Sequence, residues 1–304
     1  MMVYNFEHTK RSVSVFRFFV SVLIATFLSF PLVAQVDSVE LLNNQADSLY
    51  IAEVEEVVGK KHKNLHAEPL FIDLIRDLGA RKGEKEWNIG LGITDQTVYD
   101  SYTALLEYEF APLDRVGFEI ETPFSFYYPT NGDRTAPGSK LNSLKLASQY
   151  TFLVSDKTNT SAALGYIHEF ELADFREYGK SPLLTGHLFN PFFVSAKRWG
   201  NHFHTLLYTG PRWEMAGGKY TWKGWEYNKN VHYMIPGTRN FVGLEVNSLQ
   251  KNRKIETVLR PQMRVGLAHN LFMGIVTGVP ISRKNERFSS FVRIIWEPGS
   301  TYRH

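Results

Sequence analysis

Glutamates spaced two apart recur along this chain as Glu107 and Glu109, Glu119 and Glu121, and Glu169 and Glu171. On an extended strand alternate side chains share a face, so each pair points the same way. Lys145, Arg212, Arg260, Arg264 and Arg293 fall on the corresponding face of their own segments, as do Glu245 and Lys197. If that face encloses an interior, seven acids meet six bases there. Four glutamates on neighbouring strands repel one another unless cations stand close by. Two arrangements satisfy this. Opposed acidic and basic walls across water create a transverse field that orients dipolar solutes. Direct bridging shuts the interior with an ionic network, the expected outcome where the enclosure is narrow and unpaired charge is costly.

Other groupings carry less chemistry. His62 and His66 are four apart, but no HExxH pattern forms and Pro69 follows, so they are expected to be solvated linker histidines. His202 and His204 share a strand face without a third metal ligand. Gly90 and Gly92 lack the helix that a dinucleotide site requires. Ser148 and His168 on neighbouring outward faces would suit a lipid hydrolase, with no local motif to back it. Trp222, Trp225 and Tyr227 would stack on a solute or lie in an aromatic belt at a lipid boundary, the belt being preferred. Zero cysteines exclude disulfides, thiolate metal sites and cysteine nucleophiles, and no cofactor or metal is expected. A net charge of +3, from 34 basic and 31 acidic residues, excludes a nucleic-acid footprint.

The elements that position these groups follow from hydropathy. Lys10, Arg11 and Arg17 precede an apolar stretch from Phe18 to Ala34, the pattern of a cleaved export signal over residues 1–35. Residues 36–65 are polar and mixed in charge, expected to be a flexible or weakly helical periplasmic linker. In residues 66–85 Leu70, Ile72, Leu74, Ile75 and Leu78 crowd in apolar spacing between Pro69 and Gly79, predicting a short helix that is either an ordinary surface helix or a plug or segment docked at a barrel mouth. Its candidate plug residues are His66, Glu68, Leu70, Phe71, Asp73 and Arg76.

From Trp87 onward the period becomes two. Twelve strands are predicted, near 86–95, 101–111, 115–128, 141–154, 160–172, 187–199, 202–215, 219–235, 240–249, 254–267, 270–282 and 288–297. Short turns alternate with longer polar loops at 129–140 and 173–186, and the strands are long enough to cross a bilayer obliquely. The apolar face is too aromatic for the inside of a small barrel, whereas the polar face carries charge at mid-strand. This is an all-β chain forming a transmembrane antiparallel β-barrel of about twelve strands over 86–298, with a tail at 299–304. Two features run against it. Pro123, Pro191, Pro211, Pro261 and Pro280 fall inside strands, predicting bulged or frayed upper halves. Lys229 points to lipid, predicting a register error in its strand.

The block HAEPLFIDLIRDLGARKGEKEW (66–87) closely resembles the signature of the HAEPLYID family of uncharacterised Bacteroidetes outer-membrane proteins, with Phe71 in place of tyrosine. The likeness continues in GTRNFVGLEVN (237–247). More loosely, residues 257–282 look like the closing hairpins of the outer-membrane family linked to phenol-degradation gene clusters, a likeness that implies a twelve-stranded channel. The chain departs from the usual barrel ending, since EPGSTYRH follows Trp296.

The resulting expectation is an outer-membrane barrel of a Gram-negative bacterium, not an enzyme. It would pass a small solute, aromatic or dipolar, through a narrow or gated channel. The alternatives are a closed structural or adhesive barrel and, less favoured, a lipid hydrolase. Expected partners are outer-membrane lipid, the solute, and the periplasmic chaperone and barrel-assembly machinery.

Overall fold

The computed structural model describes residues 36–72, 74–130, 136–283 and 285–299, with side-chain burial described from Asn43 on. The export-signal stretch, Asp73 and most of the tail lie outside the described residues. The barrel with its inserted segment belongs to one compact unit, Asn43–His304.

A helix, α1 (Val36–Glu55), occupies most of the stretch expected to be a linker. Its end is held by burial: Ile51 and Val54 pack with Leu65, flanked by Tyr50. Among the described residues no helix is long and apolar enough to cross a membrane.

The strands are β1 (Lys85–Gln96), β2 (Tyr99–Leu113), β3 (Val116–Pro129), β4 (Lys140–Leu141), β5 (Ser143–Ser155), β6 (Thr160–Leu172) and β7 (Leu184–Trp199). They continue as β8 (Phe203–Ala216), β9 (Lys219–Met234), β10 (Phe241–Lys251), β11 (Lys254–Ala268), β12 (Leu271–Pro280) and β13 (Glu286–Trp296). Each long strand pairs antiparallel with its sequence neighbour, and β1 closes the ring on β13. Twelve strands make a closed barrel, and two-residue β4 is an extra patch on β3. Closure pairs each of the twelve long strands on both sides, which is how a barrel in lipid satisfies its backbone groups.

Alternation sets the two faces. Ile89 and Leu91 on β1, Leu106 on β2, Ile120 on β3 and Leu164 on β6 are exposed outward. Tyr102, Tyr128, Tyr150, Trp199, Trp225 and Trp296 join them nearer the strand ends. Glu86, Asn88, Glu107, Glu119, Gln149 and Gln262 are buried on the opposite face. We call the end where β1 starts the lower end. There the connections are short, at 114–115, 156–159, 200–202, 235–240 and 269–270. At the upper end two loops are long, but the β1–β2, β8–β9 and β10–β11 links are two-residue hairpins, so the loop asymmetry is weaker than expected.

The prolines leave their strands continuous, but pairing is disturbed beside them: a bulge lies between Arg212 and Trp213 next to Pro211, and the β3–β5 ladder ends at Glu121, before Pro123. Each is paired on one side: Pro123 with Leu105, Pro191 with Tyr166, Pro211 with Trp225, Pro261 with Leu244 and Pro280 with Val258. The neighbouring ladder lapses locally instead, between Phe189 and Phe193 on the β8 side of β7 and between Leu259 and Gln262 on the β12 side of β11. A proline lacks only its N–H, so one interrupted ladder is all it imposes. Lys229 is outward and exposed, opposite Leu207 and Val246, so the register that follows from the sequence pattern is sound there. On β7 the expectation fails: Arg198 is buried inward, while Lys197 faces outward with its amine 4.3 Å from the Trp199 ring centroid.

Candidate functional site

Residues 62–84 enter the barrel and run through its lower half without forming a helix. The reason lies in where their backbone groups bond. Ala67 N–H donates to His204 Nδ1 (2.8 Å) and Leu70 N–H to Gln262 Oε1 (2.8 Å). Phe71 and Ile72 N–H both donate to the Glu245 carboxylate (3.3 and 2.9 Å), and Gly79 N–H donates to Thr151 Oγ1 (3.0 Å). Gln149 Nε2 in turn donates to the Arg76 carbonyl (2.8 Å). The barrel wall thus supplies partners that a helix would have supplied to itself, as buried backbone groups demand.

The apolar residues of this segment divide between two opposed patches of wall. Leu74, Ile75 and Leu78 pack with Ala147, Ala163, Phe192, Val194, Leu206 and Tyr208. Ala67 and Leu70 pack with Met234, Phe241, Phe272, Val276 and Ile295. Burial of each large side chain contributes roughly 1.5–3 kcal/mol. Two glycines make the close approach possible. A Cβ on Gly117 would lie 2.3 Å from the Ile75 carbonyl oxygen, and one on Gly274 would lie 2.7 Å from a Leu70 methyl. Gly117→Ala is therefore expected to push residues 75–76 off the wall, at a cost of about 1–3 kcal/mol. A lower unfolding temperature with faster proteolysis of the segment checks it; wild-type values for both refute the seat.

Arg76 is the ionic centre of the segment. It is buried, with Nη1 2.8 Å from Glu86 and 3.2 Å from Glu109, and Nη2 2.6 Å from Asp77. Its φ of 134° lies where non-glycine residues are strained, by about 1–3 kcal/mol. Lys63 reaches Asp77 and Glu84. Burial raises the Glu68 carboxyl well above its ordinary range, and its neighbour Asp77 adds to the effect. Burial also opposes charge on Asp77, but Arg76 and Lys63 outweigh it and hold that carboxyl well below its usual range. Glu68 and Asp77 thus differ in direction, charge being disfavoured on the first and favoured on the second. Both line a cavity of about 160 Å³ at the lower mouth, with Tyr50, Arg239 and Arg264.

His66 is not solvated. It is 9 % exposed, with Nε2 2.9 Å from Ser161 Oγ, and its ring stands edge-on to His204. Burial, reinforced by the neighbouring His204 and by the positive charge of Arg198 and Lys63, lowers its pKa to about 3. The unfolded imidazole titrates near 6.5. Neutral His66 therefore contributes stability that is full above pH 6.5 and is lost progressively as pH falls toward 3. Wild type is expected to lose unfolding temperature between pH 7.5 and 4.5 more steeply than His66→Gln; parallel curves would refute this. His62 remains half-buried against Asn64.

The charges predicted to form two walls are distributed differently. Lys145 answers Glu119 (2.8 Å) and Glu121 (2.5 Å), and Arg293 lies 3.7 Å from Glu107. Glu109 meets Arg76 of the inserted segment. Arg212 sits 2.7 Å from Glu226 and 3.8 Å from Glu169, whereas Glu171 is half-buried near Gly186. Arg260 pairs across the strands with Glu245, and neither it nor Arg264 forms an ion pair with the acids of β2 and β3 among the described residues. Arg260 donates to Asn247 and Ser289 and lies 3.4 Å over the Phe71 ring; Arg264 donates to the Arg239 carbonyl and lies over Phe241. Most of the acids are thus answered by nearby cations, with no basic wall opposite them among the described residues. Of the other expectations, His168 contacts His187 (3.0 Å) rather than Ser148, and Trp222, Trp225 and Tyr227 face outward.

Sequence reasoning passes over Gln149, Thr151, Ser161, Gln262 and Arg198, the wall groups that grip the segment or α1. Arg198 Nη2 lies 2.8 Å from Glu55 of α1, and Arg81 donates to the carbonyls of Val54 and Glu55. Inward parity is the available signal for the polar ones, but amides and hydroxyls do not stand out as charges do.

None of the curated proteins matches the sequence. Among solved structures, the COG4313 outer membrane channel from Pseudomonas putida F1 is similar at 13% identity, with 72% of this chain and 97% of that chain covered and a TM-score of 0.53. The NanC porin is similar at 10% identity, covering 69% and 98%, with a TM-score of 0.49. The first likeness establishes the outer-membrane-type barrel fold. A family model matches residues 62–297, from the inserted segment to the end of the last strand, and the chain belongs to the HAEPLYID-like family.

Proposed function

We propose that this protein is a channel in the outer membrane of a Gram-negative bacterium, closed at its lower end by residues 62–84 acting as a plug, and that it passes a small solute when the plug shifts. The observation that carries this is the way the plug is held. Residues 67–79 are gripped by side chains from β5, β8, β10 and β11; the segment meets the sheet backbone at its C-terminal end, where Gly83 and Glu84 bond to Ala111 and the Ala80 carbonyl accepts from Arg115 N–H, so the part before it can leave without breaking a strand ladder. The apolar outer face with aromatics toward the strand ends supports a bilayer setting. The Pseudomonas putida neighbour is an outer membrane channel, which supports the same reading. A twelve-strand barrel lies between those filled by side chains and those holding an open aqueous pore, so its plug decides whether it conducts.

The chain has no cysteine, which makes a lock simple to build. Position 274 directs a Cβ to within 3.3 Å of Leu70 Cγ, a spacing that suits a disulfide between L70C and G274C. In planar bilayers the oxidised double variant is expected to stay closed and the reduced one to show opening events. Equal steady conductance in both states would remove the plug from gating. Silence in both, in folded protein, would favour a permanently closed structural barrel.

A further inference from the structure

Glu107 pairs directly with Glu121 across β2 and β3, and Glu109 with Glu119, on the inward face. One carboxylate oxygen from each of Glu107, Glu119 and Glu121 lies within 4.8 Å of the other two. These residues are 0 %, 1 % and 8 % exposed. Proximity alone would be met by ordinary ion pairing, so the partners matter. Glu119 accepts no hydrogen bond at either oxygen, and neither does Oε2 of Glu107. Lys145 lies 2.8 Å from Glu119 Oε1 without hydrogen-bond alignment, its bond going to Glu121. Asn88 donates to Glu107 Oε1 and, on either side, to Glu86 and Glu109, which fixes the outer rim of the cluster.

Charge leads to the same point. Five carboxylates share this wall (Glu86, Glu107, Glu109, Glu119 and Glu121), and three cations approach them: Lys145, Arg76 and Arg293. With all five ionised, five minus three leaves two negative charges unanswered. A buried deficit of that size is costly, and buried carboxylates with orphan oxygens are what a bound cation satisfies.

We propose that Glu107, Glu119 and Glu121 bind a hard divalent cation, calcium in preference to magnesium. The donors are all oxygen, which excludes soft metals. Calcium sits about 2.3–2.6 Å from its ligands, so it can touch oxygens up to roughly 5 Å apart, whereas magnesium at about 2.1 Å needs them closer. Binding displaces the Lys145 ammonium from Glu119, so that lysine competes with the ion. The site is independent of whether the barrel conducts.

The test uses the folded full-length protein in detergent, stripped with chelator and then titrated with CaCl2 and, separately, MgCl2 by calorimetry. Elemental analysis and unfolding temperature serve as second readouts. One calcium per chain is expected, bound more tightly than magnesium and raising the unfolding temperature. Glu119→Gln should weaken binding roughly tenfold or more, because ligand charge sets the affinity of such sites. Glu121→Gln replaces it if the first variant does not fold. Lys145→Met should bind calcium more tightly than wild type, an outcome that a purely structural lysine would not produce. Exposed Glu256→Gln should change nothing. The proposal is overturned if neither wild type nor Lys145→Met, both folded, takes up calcium. It is equally overturned if uptake survives both glutamine variants, or if the wall binds protons and no metal.

Discussion

Deletion of residues 62–84, with α1 joined to β1 by a flexible linker, is expected to turn a silent barrel into one with steady conductance steps. The ring closes through the pairing of its own strands, and the segment adds backbone bonds to it at Ala80, Gly83 and Glu84, so the deletion removes a filling and leaves the frame. The surface it uncovers is polar enough to hydrate: Gln149, His204, Glu245 and Gln262 lose their backbone partners and find water. The apolar patches around Phe192 and Phe272 lose their cover, so the deleted barrel should be less stable than wild type while remaining folded. Heat-modified gel mobility and circular dichroism establish folding; planar bilayers establish conductance. A folded deletion that stays silent would mean that the upper half, where Arg212, Glu226 and Glu169 meet, is itself closed, and the plug reading would fall.

How far the fold and the site are legible in the sequence depends on the contrast between the two faces of each strand. On 102–110 and 116–128 glutamate alternates with apolar residues, and the inward positions of Glu107, Glu109, Glu119 and Glu121 follow directly. On 187–199 the contrast vanishes, because Leu188, Phe192, Val194 and Ala196 face inward and Phe189 and Phe193 outward. There a period-two pattern slips by one residue and puts Lys197 where Arg198 stands. The cause is the inserted segment: Leu74, Ile75 and Leu78 need an apolar wall, so the interior is apolar where they dock. The segment itself misleads in the same way. Leu70, Leu74 and Leu78 have helical spacing, yet Leu70 serves one patch and the others the opposite one. The groups that hold the segment extended lie dozens to nearly two hundred residues away in sequence, where no local pattern reports them.

Arg76→Met is expected to be the most damaging single substitution in the segment. Three carboxylates converge on this guanidinium, and Glu86 and Glu109 are nearly inaccessible to water. Removing one partner of a buried ion pair costs about 3–5 kcal/mol, mostly as the penalty of the charge left behind. If that is the origin, neutralising the abandoned acids should restore much of the loss. The triple variant Arg76→Met, Glu86→Gln, Glu109→Gln is therefore expected to be more stable than Arg76→Met alone. A second comparison separates charge from backbone. At φ 134° glycine is unstrained, so Arg76→Gly should lose less stability than Arg76→Met, by about 1–3 kcal/mol, even though it removes more of the side chain. Denaturant or thermal unfolding in detergent measures all three. If Arg76→Met were as stable as wild type, the guanidinium would not be what fastens the segment to the acidic wall; attachment would then rest on the apolar patches and the backbone bonds to Glu245, Gln262 and His204.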